Sequence, residues 1–207
     1  MKKTVVLGII AALAVVTLTA CGGKKQEADV TPEPQATEEA VATEAPATVE
    51  IASSDEALNK VLDTYAEDEK FPIMGGDFEN VVDGKAGIYN LADTEGLMST
   101  LHISEDLIAQ IDEAGSAVHA MNANTFTGAA FHLVEGTDAA TFAASLKDSV
   151  LATQWMCGFP EKLTIYTVNS DYVLYAVGTA DIVDNFNSKV QEVYGEAAVV
   201  VSDGAVE

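Results

Sequence analysis

The sequence contains no arginine, and its ten basic residues, all lysines, are far outnumbered by 33 aspartates and glutamates. Proteins that read nucleic acids or grip phosphate groups depend on basic side chains, above all on the guanidinium group. With a formal net charge of −23, the chain is therefore predicted to have no nucleic-acid partner. Its two cysteines are too few for a disulfide framework or a four-cysteine zinc module.

Motifs of the common enzyme classes are also missing from the sequence. There is no glycine-rich phosphate loop, no Ser-x-x-Lys, no Gly-x-Ser-x-Gly and no His-Glu-x-x-His. A catalytic triad would have to use one of only three histidines, and none has a recognisable nucleophile beside it in the sequence. We therefore expect a protein that is not an enzyme and needs no cofactor. Its 207 residues allow one domain with appendages.

The first residues are typical of an export signal. Lys2 and Lys3 precede an uncharged, mostly apolar run over residues 4–20, which is marginal in length for a membrane-spanning helix. The run ends in Leu18-Thr19-Ala20-Cys21, which resembles the lipobox of bacterial lipoproteins. The alternative is an ordinary secretory signal cleaved after Ala20.

The lipobox resemblance implies that residues 1–20 are removed and that Cys21 carries a diacylglyceryl group at the new N-terminus. Two acyl chains make a stable anchor. The prediction is a lipoprotein on the extracellular face of a bacterial cell membrane, with the membrane as its partner through the lipid.

A composition change separates this anchor from a folded domain. Residues 21–52 are rich in Ala, Thr, Glu and Pro and are predicted to form a disordered tether, because they cannot bury enough apolar surface to offset the entropy of ordering. The domain is predicted over residues 53–207. It opens with the capping box Ser53 to Glu56 and a helix of apolar residues at helical spacing.

Further elements follow at regular intervals. A second helix is predicted from Ser104 to Gly115, and the order strand, strand, helix then occurs twice, with an apolar tail as an edge strand. The strands are expected at 117–121, 128–134, 163–168, 172–177 and 197–201, and the helices after Asp138 and Thr179. This pattern predicts the α+β class, with an antiparallel sheet and helices packed on one face. The two halves are either a strand-strand-helix repeat or two unrelated hairpins.

The C-terminal part also resembles a group of small, uncharacterised lipoproteins of Gram-positive bacteria. The resemblance covers roughly residues 117–195 and is carried by Gln154, Pro160 and the run Ser170-Asp171-Tyr172-Val173-Leu174. It implies the same architecture and location, and it brings no activity with it.

His119 and His132 form a candidate metal site. If the hairpin over residues 117–134 is symmetric about residues 125 and 126, the two histidines lie opposite each other with Cβ atoms about 5 Å apart. Together with a carboxylate such as Glu135, they could bind zinc or copper. The alternative is a cross-strand pair without a metal. His102 has no evident partner in the sequence.

The segment Trp155-Met156-Cys157-Gly158-Phe159 offers a second candidate site. Trp155, Met156 and Phe159 either form an apolar plug at the end of the sheet or, if exposed, a partner-binding patch. Cys157 has no base nearby in the sequence, so a buried structural thiol is favoured over a nucleophile.

Acidic clusters at 63–69 and 77–83 do not match a calcium-binding loop and are expected to be solvated surface. The leading hypothesis is a non-enzymatic interaction module that binds an envelope protein or a small extracellular ligand. A metal-binding lipoprotein is the second hypothesis, and a cell-envelope hydrolase is the third.

Overall fold

A computed structural model of the protein describes residues 48–156 and 158–206. Four predictions fall wholly or mostly outside this part of the chain: the export signal, lipidation of Cys21, most of the tether and the environment of Cys157. Among the described residues, no helix combines the length and apolar character needed to cross a membrane.

The described part of the chain forms five α-helices, and some of them begin at a capping side chain. Ser53 caps the first helix by accepting a hydrogen bond from the Glu56 N–H, and Asp138 caps the fourth helix by accepting one from Thr141. Such caps satisfy backbone N–H groups that lack partners within a helix. The helices are α1 (Ser54–Leu62), α2 (Thr94–Thr100), α3 (Glu105–Ile108), α4 (Ala139–Leu151) and α5 (Ala180–Tyr194).

Within residues 48–156 and 158–206, eight strands form one sheet in which every pairing is antiparallel. Their order across the sheet is β2-β1-β4-β5-β7-β6-β8, and the short strands β1 and β3 pair with successive parts of β4. The strands are β1 (Ile73–Gly75), β2 (Val82–Asp83), β3 (Gly87–Tyr89), β4 (Ile111–His119), β5 (Phe126–Leu133), β6 (Lys162–Val168), β7 (Tyr172–Gly178) and β8 (Ala198–Ala205). The predicted α+β class with an antiparallel sheet is confirmed.

Helices cover both faces of this sheet, so the expectation that they pack on one face is wrong. Along β7, Val173 and Tyr175 enter a first core with α2, α3 and α4, whereas Leu174 and Ala176 enter a second core with α1 and α5. Successive side chains of a strand point to opposite faces, so a strand that is apolar at every position must be covered twice. The result is a three-layer sandwich.

The strand-strand-helix order does occur twice, as β4-β5-α4 and β6-β7-α5. However, α4 packs in the first core and α5 in the second, so the two helices lie on opposite faces of the sheet. The repeat is one of element order, and the two units are placed differently on the sheet.

Ordered packing extends upstream of α1. The Val49 N–H donates to Asn169 Oδ1 at 3.0 Å, and Asn169 Nδ2 donates to the Val49 carbonyl at 2.6 Å. Val49 and Ile51 also pack against the second core. This pair of hydrogen bonds joins the start of the described chain to the β6–β7 turn.

The helix predicted from Ser104 to Gly115 is wrong beyond its first turn. Ser104 does precede α3, but α3 spans only Glu105–Ile108, and Ile111 already begins β4. Gly115 lies inside β4, where an added Cβ would come within 2.7 Å of the α1 backbone. A glycine is required there by close approach of a helix to the sheet, and it is not a helix stop.

Candidate functional site

A cavity of about 380 Å³ opens beside β1, on the face of the sheet that carries the first core. It lies between the loop after β1, the end of α2 and the turn after β4. The lining residues used below are Asp77, Phe78, Tyr89, His102, Met121 and Asn124. Its size is at the lower end of the range for small-ligand pockets.

Asp77 fixes the shape of the loop after β1. Its side chain is buried, and its carboxylate accepts hydrogen bonds from the N–H groups of Glu79, Asn80 and Asn90 at 2.8–3.1 Å. Bonds to the Asn80 side chain and to these N–H groups lower the pKa of Asp77, although burial opposes them. A carboxylate held in this way keeps the loop in one conformation.

This loop presents Phe78 to solvent at the cavity mouth. Phe78 is 80% exposed, and Met121, on the opposite wall, is 83% exposed. Met74 and Val81 also line the cavity and are partly exposed. Single exposed apolar residues are common, but several around one concavity indicate a binding surface. Here they surround a cavity whose loop is held rigidly by Asp77.

Tyr89 forms part of the inner wall and is only 2% exposed. Its hydroxyl lies near Thr100 but makes no hydrogen bond of good geometry to any described residue. Burial raises the pKa of Tyr89, so the phenol keeps its proton at neutral pH. The wall therefore contains a hydroxyl that can still donate and accept a hydrogen bond.

His102 lines another side of the cavity, and Trp155 packs against its ring. The His102 backbone has a φ of 53°, and its carbonyl accepts a hydrogen bond from Ser149 Oγ at 2.6 Å. Its ring meets the Trp155 ring edge to face, with centroids 4.5 Å apart. Burial lowers the pKa of His102 to about 4, so the ring is neutral at pH 7.

The predicted partner-binding residues Trp155, Met156 and Phe159 differ in their exposure to solvent. Trp155 is half-buried against the first core, and its Nε1 lacks a hydrogen-bond partner among the described residues. Met156 and Phe159 are each 78% exposed. Asn124 Nδ2, at the cavity edge, donates to the Met156 and Gly158 carbonyls at 3.1 Å. This segment thus borders the cavity.

His119 and His132 do not lie opposite each other, and the predicted cross-strand pair is wrong. In the observed register Glu113 lies opposite His132, six residues before His119 on the same strand. At about 3.3 Å per residue, the two histidines are separated by about 20 Å, too far to share a metal ion. The prediction failed because the hairpin is centred on residues 122 and 123, with Val118 paired to Thr127, rather than on residues 125 and 126.

Each of these histidines has local partners instead. The His119 ring stacks on Phe71 with centroids 5.6 Å apart, and its Nδ1 accepts hydrogen bonds from the N–H groups of Met121 and Asn122 at 3.2–3.3 Å. His132 Nδ1 pairs with Asp112, and no described Ser, Thr or Cys side chain hydrogen-bonds its other nitrogen. Because His119 accepts these two hydrogen bonds from the main chain, it shapes the turn beside the cavity.

Within the described residues, no three His, Cys, Asp or Glu side chains are grouped so that they could hold a metal ion. The acidic stretches 63–69 and 77–83 therefore contain no such group. Asp77 is committed to backbone N–H groups, and Glu67 and Glu69 make ion pairs with lysines.

Sequence reasoning missed Phe78, Met121, Tyr89 and His102 as parts of one site. They come from a loop, a turn, an edge strand and a helix linker, so no spacing in the sequence connects them. One signal was present: an aromatic residue in the glycine-rich stretch after Gly75-Gly76, where no apolar periodicity demands it.

Searches with family models, against curated proteins and against solved structures gave no match.

Proposed function

We propose that this chain is a lipid-anchored extracellular binding protein, and that its cavity beside β1 is the binding site. The observation that carries this proposal is a preformed concavity of about 380 Å³ with exposed Phe78 and Met121 at its mouth. Pockets that bind ligands combine an apolar lining with a few polar groups that fix orientation. The partner is an envelope protein or a small extracellular ligand.

Rigidity supports binding at this site. The loop that carries Phe78 is pinned through Asp77, and the Met156 segment is tied to the cavity edge by Asn124. A preorganised surface loses less conformational entropy when a partner binds. The Phe78 and Met121 side chains are thus displayed on a fixed frame.

The polar groups of the cavity favour binding over catalysis. His102 is neutral and wedged against Trp155, and Asp77 is saturated with hydrogen bonds from backbone N–H groups. A hydrolase would need a nucleophile within hydrogen-bond reach of its base. The His132 and Asp112 pair has no such nucleophile among the described residues, and it lies at the far end of β4.

The binding test uses the chain from residue 22 onwards, which retains every described member of both cores. Titration with the neutral, apolar dye Nile red should give a saturable rise in fluorescence. The double variant Phe78→Ser/Met121→Ser should lose most of this rise. Val199→Ser is the matched control, because Val199 is also exposed but lies on β8 at the other edge of the sheet. Equal loss in both variants would contradict the proposal.

The anchor has a separate test. Lipidation at Cys21 predicts that the full chain, expressed in a bacterium, incorporates a labelled fatty acid and sediments with membranes. Cys21→Ser should abolish the label, and Cys157→Ser should not. A label that persists in Cys21→Ser would contradict lipidation at this position.

A further inference from the structure

Two further grooves adjoin the cavity, and both are acidic. One shares Asp77 and Phe78 with the cavity and contains Glu79. The other shares Ser99 and contains Glu95 and Glu105. We define the acidic rim as the exposed residues Glu79, Glu95 and Glu105. These carboxylates make no ion pair with a lysine in the described part of the chain.

No lysine of residues 48–156 or 158–206 lines the cavity or either groove. Four of the six lysines in these ranges make ion pairs elsewhere, namely Lys60, Lys70, Lys162 and Lys189. Carboxylates beside low-dielectric walls produce a negative potential that attracts cations. The apolar cavity is therefore bordered by negative charge that the protein itself leaves uncompensated.

A second and independent feature is an unsatisfied hydroxyl on a residue that lines the cavity. The Tyr89 side chain is 2% exposed, and its hydroxyl lacks a hydrogen-bond partner among the described residues. Buried polar groups are nearly always paired in folded proteins. The Tyr89 hydroxyl is a donor that a main-chain carbonyl of a bound ligand would satisfy.

We infer that the cavity takes an apolar side chain of a cationic peptide segment, whose neighbouring lysine or arginine residues contact the acidic rim. This inference rests on the proposed function and specifies its ligand class. A peptide supplies the three required features together, because it offers apolar side chains, cationic side chains and main-chain carbonyls. The cavity volume of about 380 Å³ limits the inserted part to a few side chains.

Fluorescence anisotropy with labelled peptides of equal length tests the inference on the chain from residue 22 onwards. One peptide combines lysines with leucine and phenylalanine, a second replaces its lysines with glutamine, and a third replaces its apolar residues with serine. The first should bind at least tenfold more tightly than the other two at low salt. The difference from the glutamine peptide should shrink at high salt, because exposed ion pairs are screened.

The rim variant is Glu79→Gln/Glu95→Gln/Glu105→Gln, which should weaken binding of the cationic apolar peptide about tenfold. Its control is Asp63→Asn/Asp68→Asn/Glu196→Gln, which removes the same charge from exposed positions that line neither the cavity nor its adjoining grooves. The control should change binding less than twofold. Equal weakening by both variants would overturn the inference, because net charge alone would then explain binding.

Two further outcomes separate this inference from the proposed function. If Nile red and the glutamine peptide bind as well as the cationic peptide, the inference is overturned while the cavity remains a binding site. If the serine peptide binds as tightly as the cationic apolar peptide, the apolar cavity plays no part and the inference is again overturned. If neither Nile red nor any peptide binds, the proposed function fails as well.

Discussion

On one face of the sheet, α1 and α5 contact each other as well as the strands, and together they cover the second core. On the other face, α4 shares the cover with the short helices α2 and α3. The cavity beside β1 lies on the face of the first core, at the end of the short helix α2. This cavity is thus found where short helices and irregular chain, rather than long helices, cover the sheet.

On each face of the sheet, a buried tyrosine hydroxyl donates a hydrogen bond to a main-chain carbonyl of a covering helix or its end. Tyr194 donates to the Ala57 carbonyl of α1 at 2.7 Å, and Tyr175 donates to the Leu101 carbonyl at the end of α2 at 2.5 Å. Only the second of these bonds holds a wall of the cavity. Removing each of these two hydrogen bonds in turn therefore tests which face of the sheet contributes to binding.

The largest expected effect is the difference in stability loss between a variant in the second core and a variant at the cavity mouth. Phe126→Ala removes a fully buried ring of the second core and should lower the free energy of unfolding by about 3–5 kcal/mol. Phe78→Ala removes an exposed ring and should change it by less than about 0.5 kcal/mol, while weakening Nile red binding. Urea unfolding of both variants measures the difference. A large destabilisation by Phe78→Ala would contradict an exposed binding role.

His102 should make the cavity face sensitive to acid. Its pKa in the folded protein is about 4, below the value near 6.5 of the unfolded chain, so protonation favours unfolding. The contribution of the neutral His102 ring to the free energy of unfolding is fully present above about pH 6.5. It is lost as the pH falls towards 4, and the loss is at most about 3 kcal/mol. His102→Gln should remove this component from the pH dependence of urea unfolding. An unchanged slope between pH 6.5 and 4 in the variant would show that His102 titrates normally.

The tyrosine pair gives the smallest of these effects. Tyr175→Phe and Tyr194→Phe each leave a carbonyl without its partner, and each should cost about 1–3 kcal/mol in stability. Only Tyr175→Phe should also weaken Nile red binding, because Leu101 adjoins His102 in the cavity wall. Thermal unfolding and dye titration of the two variants provide the comparison. Equal binding losses would indicate that the faces are not independent.

Elements with strong local signals were predicted correctly. The caps Asp138 and Thr179 and the apolar stripes behind them indicate α4 and α5, and β6 and β7 are found within one residue of their expected ends. Helix α2 was missed because its seven residues include Gly96 and show no apolar periodicity. Short helices stabilised by packing leave little trace in a sequence.

The sequence does contain a signal that helices cover both faces of the sheet, although the prediction placed them on one face. The run Tyr172–Gly178 is apolar at every position, and a strand covered on one face only would alternate with polar residues. The register of β4 against β5 could not be read from the sequence in the same way, because it depends on where the turn between the two strands lies. A shift of a few residues separated two histidines that a symmetric hairpin would bring together. The cavity depends on tertiary contacts among distant segments and has no local signature.

The central claim is that ligands bind the first face of the sheet beside β1. Its most direct test is a two-dimensional amide NMR titration of the chain from residue 22 onwards with Nile red. Binding beside β1 should shift the amide signals of residues 76–81, 99–102 and 118–124 and leave those of α1 and α5 unchanged. Shifts centred on α1 and α5, or spread evenly over the domain, would contradict it.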